Sequence, residues 1–189
     1  MKFVGIACSP RKGGNTEILV REALGAIQDL GGETEFITVS GKTINPCDDC
    51  DTCVEKGTCR INDDMQEIYQ QLLSADGIIL GTPVYFINVS AQAKAVMDRT
   101  YALFVKGKLR GKVAGAIVAA RRVGAGQVLS LLYSYFMAQR MRVVGGGIGY
   151  GLKKGDVRKG TGGGHNALAL DEARSLGRAV FSLCEKLSR

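Results

Sequence analysis

The sequence lacks the features that assign a chain to several common classes. No apolar run approaches the roughly 18 residues of a membrane helix. Residues 1–14 contain neither the long apolar stretch nor the small-residue cleavage site of a secretory signal. We therefore expect a soluble, cytoplasmic protein with no membrane partner. The single histidine, His165, follows a glycine-rich loop and is expected to start a helix, so we predict no catalytic role for it and assign no catalytic acid–base residue.

Two common nucleotide-binding motifs are also missing. The Walker pattern G-x-x-x-x-G-K-[ST] does not occur. One loose match to the dinucleotide pattern G-x-G-x-x-G, at residues 162–167, has no strand directly before it and is treated as chance.

The charge is positive, with a formal net value of +7. A basic balance can indicate nucleic-acid binding, but the charges are scattered. Arg11, Lys12, Arg121 and Arg122 lie close to glycines, which suits small phosphates better than a duplex. We predict no nucleic-acid partner.

Short apolar runs alternate with helical patterns along the chain. Strands are predicted at residues 2–8, 33–39, 76–84, 112–120 and 142–151. The last of these begins as a strand, but the pattern is lost in its run of glycines. Helices are predicted at residues 16–30, 63–75 with Asp63 as N-cap, 90–104, 128–141 and 165–187.

Three of these strands are nearly continuous apolar runs, typical of a parallel sheet that helices cover on both faces. The predicted fold is α/β, a doubly wound sandwich with a five-stranded parallel sheet in the order 2-1-3-4-5. We see no linker or repeat and expect a single domain over residues 1–189.

Ligands of such sheets bind outside the carboxyl ends of the strands, which directs attention to residues 9–16, 82–90 and 120–127. The first of these loops is SPRKGGNT. Gly13 and Gly14 allow a close turn, the side chains of Ser9, Arg11, Asn15 and Thr16 offer donors, and the following helix presents free N–H groups. The loop suits a phosphate, although a tight turn without a ligand remains the alternative.

This loop and the stretch GTPVYFINVSAQAKAVMDR at residues 81–99 resemble the flavodoxin-like NADPH-dependent FMN reductase superfamily. The resemblance implies an FMN phosphate held by Ser9, Arg11, Gly14, Asn15 and Thr16. It implies that the flavin ring lies along Pro83, Val84, Tyr85, Phe86 and Asn88. It also implies that the far side is closed by Ala120, Arg121, Gly124 and Gly126.

The residue types agree with this implication. Tyr85 and Phe86 supply flat apolar surface, and Gly124 and Gly126 let backbone N–H groups approach a ring. The two aromatic residues could instead be ordinary core side chains.

Four of the six cysteines fall in one loop, at residues 45–62, as C-x2-C-x2-C-x5-C. The absent secretory signal argues against a disulfide scaffold, and the spacing differs from the paired knuckles of structural zinc sites. Cys47, Cys50 and Cys53 are spaced like the first three cysteines of a bacterial ferredoxin run. Gly57 gives Cys59 the slack to fold back onto the same cluster. Zinc on four thiolates, a redox-active thiol site and an empty reduced loop remain alternatives. Cys8 and Cys184 stand alone and are expected to be small buried side chains.

The cysteine motif, placed after the second strand, resembles the iron–sulfur flavoproteins. That resemblance implies FMN and a [4Fe–4S] cluster in each subunit of a homo-oligomer, a dimer or tetramer. We expect the negative charges of Asp48, Asp49 and Asp51 to give the cluster a low reduction potential.

The function expected from this is electron transfer between a one-electron carrier such as ferredoxin, the cluster, FMN and a small acceptor. One alternative is an NAD(P)H-dependent FMN or quinone reductase whose cysteine loop is structural or zinc-bound. Another is a metal-bound interaction module without enzymatic activity.

Overall fold

Five parallel strands form one sheet in the order β2-β1-β3-β4-β5. The computed structural model describes residues 1–158 and 168–188. In that part of the chain the strands are β1 (Lys2–Ala7), β2 (Glu33–Thr38), β3 (Gly77–Pro83), β4 (Val113–Ala120) and β5 (Arg142–Tyr150). The order is that of the flavodoxin-like fold, as the sequence predicts.

The helices cover both faces of this sheet. They are α1 (Asn15–Gln28), α2 (Thr52–Lys56), α3 (Met65–Ser74), α4 (Ala91–Arg99), α5 (Tyr101–Phe104), α6 (Ala125–Ala138) and α7 (Ala169–Leu187), with a short 3-10 helix at Asp156–Arg158. Side chains of α1 and α7 form one apolar cluster with the sheet, and those of α3 to α6 form the other.

Strand β1 shows why the central strands read as unbroken apolar runs. Phe3 and Ala7 belong to the cluster under α1 and α7, whereas Val4 and Ile6 belong to the opposite one. Successive side chains of a strand point to opposite faces, so a strand covered on both sides needs apolar residues throughout.

The predicted helix at residues 90–104 is two helices in the structure. The hydroxyl of Thr100 donates a hydrogen bond to the carbonyl of Met97 at 2.6 Å, and its backbone N–H is shared between the carbonyls of Val96 and Met97. Such side-chain bonds compete with the regular helical pattern. The helix is therefore interrupted at Thr100, and α5 contacts α2 of the cysteine loop.

The glycines of β5 do not end the strand, contrary to the expectation from sequence. A Cβ atom at Gly149 would lie 2.6 Å from Leu19 of α1, and one at Gly147 would lie 3.3 Å from Ile117 of β4. These glycines admit neighbouring side chains, so β5 continues to Tyr150.

Other predicted bounds differ at their ends. Helix α6 begins at Ala125, three residues before the predicted start, and α3 begins at Met65. The short helix α2 lies inside the cysteine loop, where none was predicted. His165 and the glycine match at residues 162–167 lie outside the described residues. Within the described ranges, no helix is both long and apolar enough to span a bilayer.

Helices α1 and α7 approach so closely that we predict opposite effects for two Gly→Ala changes. A Cβ at Gly177 of α7 would overlap the backbone carbonyl of Ala23, whereas a Cβ at Gly25 of α1 would meet nothing within 4 Å. Gly177→Ala should lower the free energy of unfolding by about 1–3 kcal/mol through overpacking. Gly25→Ala should raise it by up to about 1 kcal/mol, since alanine favours a helix. Urea unfolding of the flavin-bound protein measures both, and equal effects of the same sign would contradict this packing.

Candidate functional site

The loop between β1 and α1 forms a turn with free backbone donors. Gly14 precedes α1 without a side-chain cap, so the first N–H groups of the helix have no intrahelical acceptor. Gly13 has a φ of 65°, the left-handed region that glycine enters without strain. The buried hydroxyl of Ser9 accepts the N–H of Arg11 at 3.2 Å. Together with the helix dipole, these groups form a cradle suited to an anion.

This cradle is one end of a cavity of about 190 Å³ at the carboxyl edge of the sheet. The cavity brings together the loops after β1, β3, β4 and β5. Its lining comprises Ser9, Arg11, Gly14, Asn15, Thr16, Pro83, Val84, Tyr85, Ala119, Ala120, Arg121, Gly151, Leu152 and Lys154. The loop after β5 is a contribution that the sequence reading missed.

Asn15 uses its side chain differently from the expected phosphate contact. Its amide nitrogen donates to the carbonyl of Lys153 at 3.0 Å, and its amide oxygen accepts the N–H of Gly155 at 2.8 Å. The side chain therefore fixes the loop after β5 against the start of α1. What Asn15 can offer an anion is its backbone N–H.

Lys154 is held next to the anion cradle by this arrangement. A Cβ placed on Gly13 would lie 3.2 Å from the ammonium nitrogen of Lys154. The sequence did indicate that the loop with Lys154 could contribute, because the carboxyl end of a fifth parallel strand must reach the same edge of the sheet as the others.

The segment after β3 is a tight hairpin that presents apolar side chains to solvent. Tyr85 and Asn88 exchange backbone hydrogen bonds at 2.9 and 3.0 Å. Phe86 and Ile87 between them have φ values of 49° and 60°, as in a type I′ turn. Phe86 is fully exposed, and Tyr85 is 38% exposed. Phe86 is therefore not an ordinary core side chain, and the hairpin forms an apolar shelf.

A second cavity, of about 280 Å³, lies on this shelf. It is lined by Val84, Phe86, Ile87, Arg121, Arg122 and Val123, and it shares Val84 and Arg121 with the first cavity. The two cavities therefore form one crevice, with a cationic end at the anion cradle and an apolar end at the hairpin.

Three further residues that were predicted to contact the flavin are absent from the lining of both cavities. Gly124 has a φ of 91°, and a Cβ there would lie 3.0 Å from both Ile87 and Val84. It is the residue against which the hairpin packs. Gly126 is an exposed residue within α6. The side-chain oxygen of Asn88 accepts the N–H of Val89 at 2.8 Å.

The cysteine loop forms a separate cavity. It is lined by all four clustered cysteines, Cys47, Cys50, Cys53 and Cys59, together with Asp48, Asp49, Asp51, Arg60, Arg99, Tyr101 and Ala102. Burial raises the pKa of the Cys53 thiol, and the neighbouring Cys59, Cys47 and Cys50 raise it further. Cys8 and Cys184, by contrast, are buried singly, as expected.

The donor set of this cavity fits a [4Fe–4S] cluster, which takes one thiolate at each of four iron corners. A single zinc ion would need its sulfur ligands at about 2.3 Å. Among the described residues, no three His, Cys, Asp or Glu side chains converge closely enough to hold one metal ion.

Arg99, at the end of α4, holds the two ends of the cysteine loop together. Its Nη1 and Nη2 atoms bind the two carboxylate oxygens of Asp63 at 2.7 and 3.1 Å. The same nitrogens donate to the carbonyls of Asn45 at 2.9 Å and Ile61 at 3.2 Å. The Arg99 side chain has 0% exposure and that of Asp63 has 3%, so the loop closes on a buried ion pair.

Asp63 is the central acceptor of this arrangement. It also accepts the N–H groups of Asn45 at 2.9 Å and Met65 at 3.1 Å. Burial alone would raise the pKa of this carboxyl, but the hydrogen bonds from Arg99 and the two N–H groups outweigh burial and lower it. The predicted N-cap of α3 is thus also the partner of a buried arginine, although Asp64 is the residue directly before the helix.

Comparison with known proteins shows the family to which the chain belongs. Residues 1–151 match the family model described as NADPH-dependent FMN reductase. The chain belongs to this family, and within it to the iron–sulfur flavoproteins. An iron–sulfur flavoprotein of Methanocaldococcus jannaschii is 42% identical over the full length of both chains. One of Archaeoglobus fulgidus is 47% identical over 78% of this chain and 77% of its own length.

A solved structure shows the same fold. RosB, crystallised with bound 8-demethyl-8-formylriboflavin-5′-phosphate, superposes with a TM-score of 0.78 over 100% of this chain and 80% of its own, at 18% identity. The chain is a redox flavoprotein and an FMN-dependent oxidoreductase, as the sequence predicts.

We predict that the Asp63–Arg99 pair makes stability dependent on acid pH. Because the pKa of Asp63 is lower in the folded than in the unfolded state, its stabilisation is present above about pH 3.9, the ordinary pKa of Asp. That stabilisation disappears as the pH falls through the lowered pKa. Asp63→Asn should cost about 3–5 kcal/mol at pH 7, since it leaves a buried charge unpaired, and the difference from wild type should narrow in acid.

Urea unfolding at stepwise decreasing pH measures this difference. Asp29→Asn is the matched control, because Asp29 forms an exposed ion pair with Arg174 and should cost less than about 1 kcal/mol. A difference for Asp63→Asn that stays constant with pH would contradict the prediction.

Proposed function

We propose that this protein passes electrons from a one-electron carrier such as ferredoxin, through a [4Fe–4S] cluster on Cys47, Cys50, Cys53 and Cys59, to FMN and then to a small acceptor. The observation that carries the proposal is the presence of two built sites in one chain. One is a crevice with an anion cradle and an apolar shelf, and the other is a cavity lined by four thiols. When bound, the cluster exchanges one electron at a time, and FMN exchanges one or two.

The crevice supports the proposed binding of FMN because its lining is cationic at one end and apolar at the other. At one end the free N–H groups of α1, with Arg11 and Lys154, would bind the phosphate. At the other end Tyr85, Phe86 and Val84 would lie against the ring and exclude water from part of it. Arg121 lines both cavities and would lie between phosphate and ring.

The arrangement of the two sites favours an oligomer. The cysteine cavity and the flavin crevice have no described lining residue in common. The cysteine loop follows β2, which pairs with β1 at the edge of the sheet. We propose that the protein works as a homodimer or homotetramer in which the cluster of one subunit serves the flavin of another.

The position of Lys154 predicts that it recognises the phosphate group of FMN. Lys154→Gln should raise the Kd for FMN by about tenfold or somewhat less, equivalent to roughly 1 kcal/mol, and leave the Kd for riboflavin unchanged. Quenching of flavin fluorescence during titration of the apoprotein measures both. Lys153→Gln is the matched control, because Lys153 is absent from the lining of the described cavity. Equal effects of the two variants, or an equal loss of riboflavin affinity, would rule out the assigned role.

The electron path predicts that the cysteines are needed for reduction by ferredoxin but not for binding FMN. Protein purified without oxygen should contain about four iron and four sulfide per chain, as a cubane cluster requires, together with FMN. Cys50→Ser should lose most iron, keep FMN, and slow the bleaching of FMN by reduced ferredoxin at least tenfold. Cys184→Ser, which alters a buried cysteine outside the loop, should match wild type.

The same measurement separates the alternatives. Rapid bleaching by NADPH alone, unaffected by Cys50→Ser, would favour an NAD(P)H-dependent reductase with a structural or zinc-bound loop. Failure to take up flavin on reconstitution would favour a non-enzymatic interaction module. Zinc in place of iron in the anaerobic protein would contradict the proposed path.

A further inference from the structure

Arg99 has one hydrogen-bond donor that the loop closure does not use. Its Nη1 and Nη2 atoms are taken up by Asp63 and by the carbonyls of Asn45 and Ile61. Its Nε atom is buried and has no hydrogen-bond partner among the described residues. A buried N–H without an acceptor costs free energy, and in native proteins such a group points to a role or to an acceptor that binds there.

The surroundings of Arg99 identify that acceptor by chemistry. Arg99 lines the cavity onto which the four thiols open. Burial alone would lower the pKa of the guanidinium, but Asp63, Tyr69 and, among the four thiols, Cys59 raise it. Tyr69 itself donates its hydroxyl to the carbonyl of Arg99 at 2.7 Å, which fixes the backbone from which the Arg99 side chain extends.

We propose that Arg99 is a positioning residue for the cluster: its Nε–H donates a hydrogen bond to sulfur of the cluster or of its cysteine ligands and thereby raises the reduction potential. This inference rests on the proposed cluster. A hydrogen bond to cluster sulfur stabilises the more negative, reduced state, so it makes the cluster easier to reduce. The Asp63 carboxylate neutralises the guanidinium charge, so that the effect comes mainly from the donated hydrogen bond.

The remaining charges around the cavity act in the opposite direction. Asp48, Asp49 and Asp51 line it, and negative charge disfavours the added electron. Arg60 pairs with Asp48 at the exposed side, where solvent screens both charges. Arg99, in contrast, is fully buried, so water weakens its hydrogen bond to the cluster less than it weakens the effect of Arg60.

The test is Arg99→Lys in the anaerobically purified protein with its cluster. Lysine keeps the positive charge opposite Asp63 but has no Nε–H donor at this position and no planar fork. We expect iron and sulfide contents close to wild type and a lower midpoint potential. At a fixed potential the ratio of reduced to oxidised cluster should fall about tenfold, which is 59 mV for a one-electron couple. Redox titration monitored by electron paramagnetic resonance measures the potential, and a changed signal of the reduced cluster should accompany the shift.

Two further variants make the outcome decisive. Arg174→Lys is the matched control, since Arg174 forms an exposed ion pair with Asp29 and should leave the potential unchanged. If Arg99→Lys fails to retain iron, Tyr69→Phe provides the second measurement. It removes the hydroxyl that donates to the carbonyl of Arg99 and that also interacts with Cys59, and it should lower the potential by a smaller amount.

The outcomes distinguish this inference from the proposed function. If the cluster of Arg99→Lys has the same potential as that of wild type, the role of Arg99 is overturned and the electron path stays intact. If Arg99→Lys loses iron, an unchanged potential in Tyr69→Phe has the same consequence. A wild-type protein that binds no iron under anaerobic reconstitution overturns both.

Discussion

The structure around the cysteines depends on the buried ion pair between Arg99 and Asp63. Burying two charges costs several kcal/mol per ion, and this cost is offset here by a bidentate geometry and by the backbone groups on either side. The carbonyls of Asn45 and Ile61 accept from Arg99, and the N–H groups of Asn45 and Met65 donate to Asp63. An apolar pair could fill the same volume, but it could not fix the two ends of a loop at defined positions. The pair therefore fixes the conformation of the cysteine loop, which has few apolar contacts of its own.

The crevice at the carboxyl edge of the sheet, the proposed flavin site, is held in a different way. Its loops start at the carboxyl ends of four parallel strands, β1, β3, β4 and β5, whose register is set by backbone pairing with one shift, at Ala114/Gly115. The loop after each strand therefore lies at the same edge of the sheet, and local contacts then fix the conformation of the loops. Asn15 bridges the first and last of these loops, and Gly124 supports the hairpin at Ile87. The crevice thus depends on the core of the domain, whereas the cysteine cavity depends on a few polar contacts at its edge.

This difference explains which features could be predicted from the sequence. The central strands were predictable because burial on both faces demands unbroken apolar runs, and the cysteine loop because its spacing is specific. Local patterns could not reveal contacts between distant residues. Arg99 and Asp63 are 36 positions apart, and Asn15 reaches a carbonyl 138 positions away. The glycines of β5 were misread because glycine marks both a turn and a close approach of neighbouring side chains, and only the packed structure separates the two.

The hairpin at Phe86 and Ile87 shows the cost of placing apolar groups at a functional edge. Two non-glycine residues in the left-handed region, one of them β-branched, cost about 1–2 kcal/mol each. Phe86 gains nothing from the core in return, because it is fully exposed. A domain with a well-packed sheet can carry such a cost where the shape serves a ligand. The strained turn and the unpaired Nε of Arg99 are alike in this respect, since each is unfavourable within the chain alone. A flavin ring on the shelf and sulfur beside Arg99 would supply the missing contacts, so these two unfavourable features lie where the two cofactors are proposed to bind.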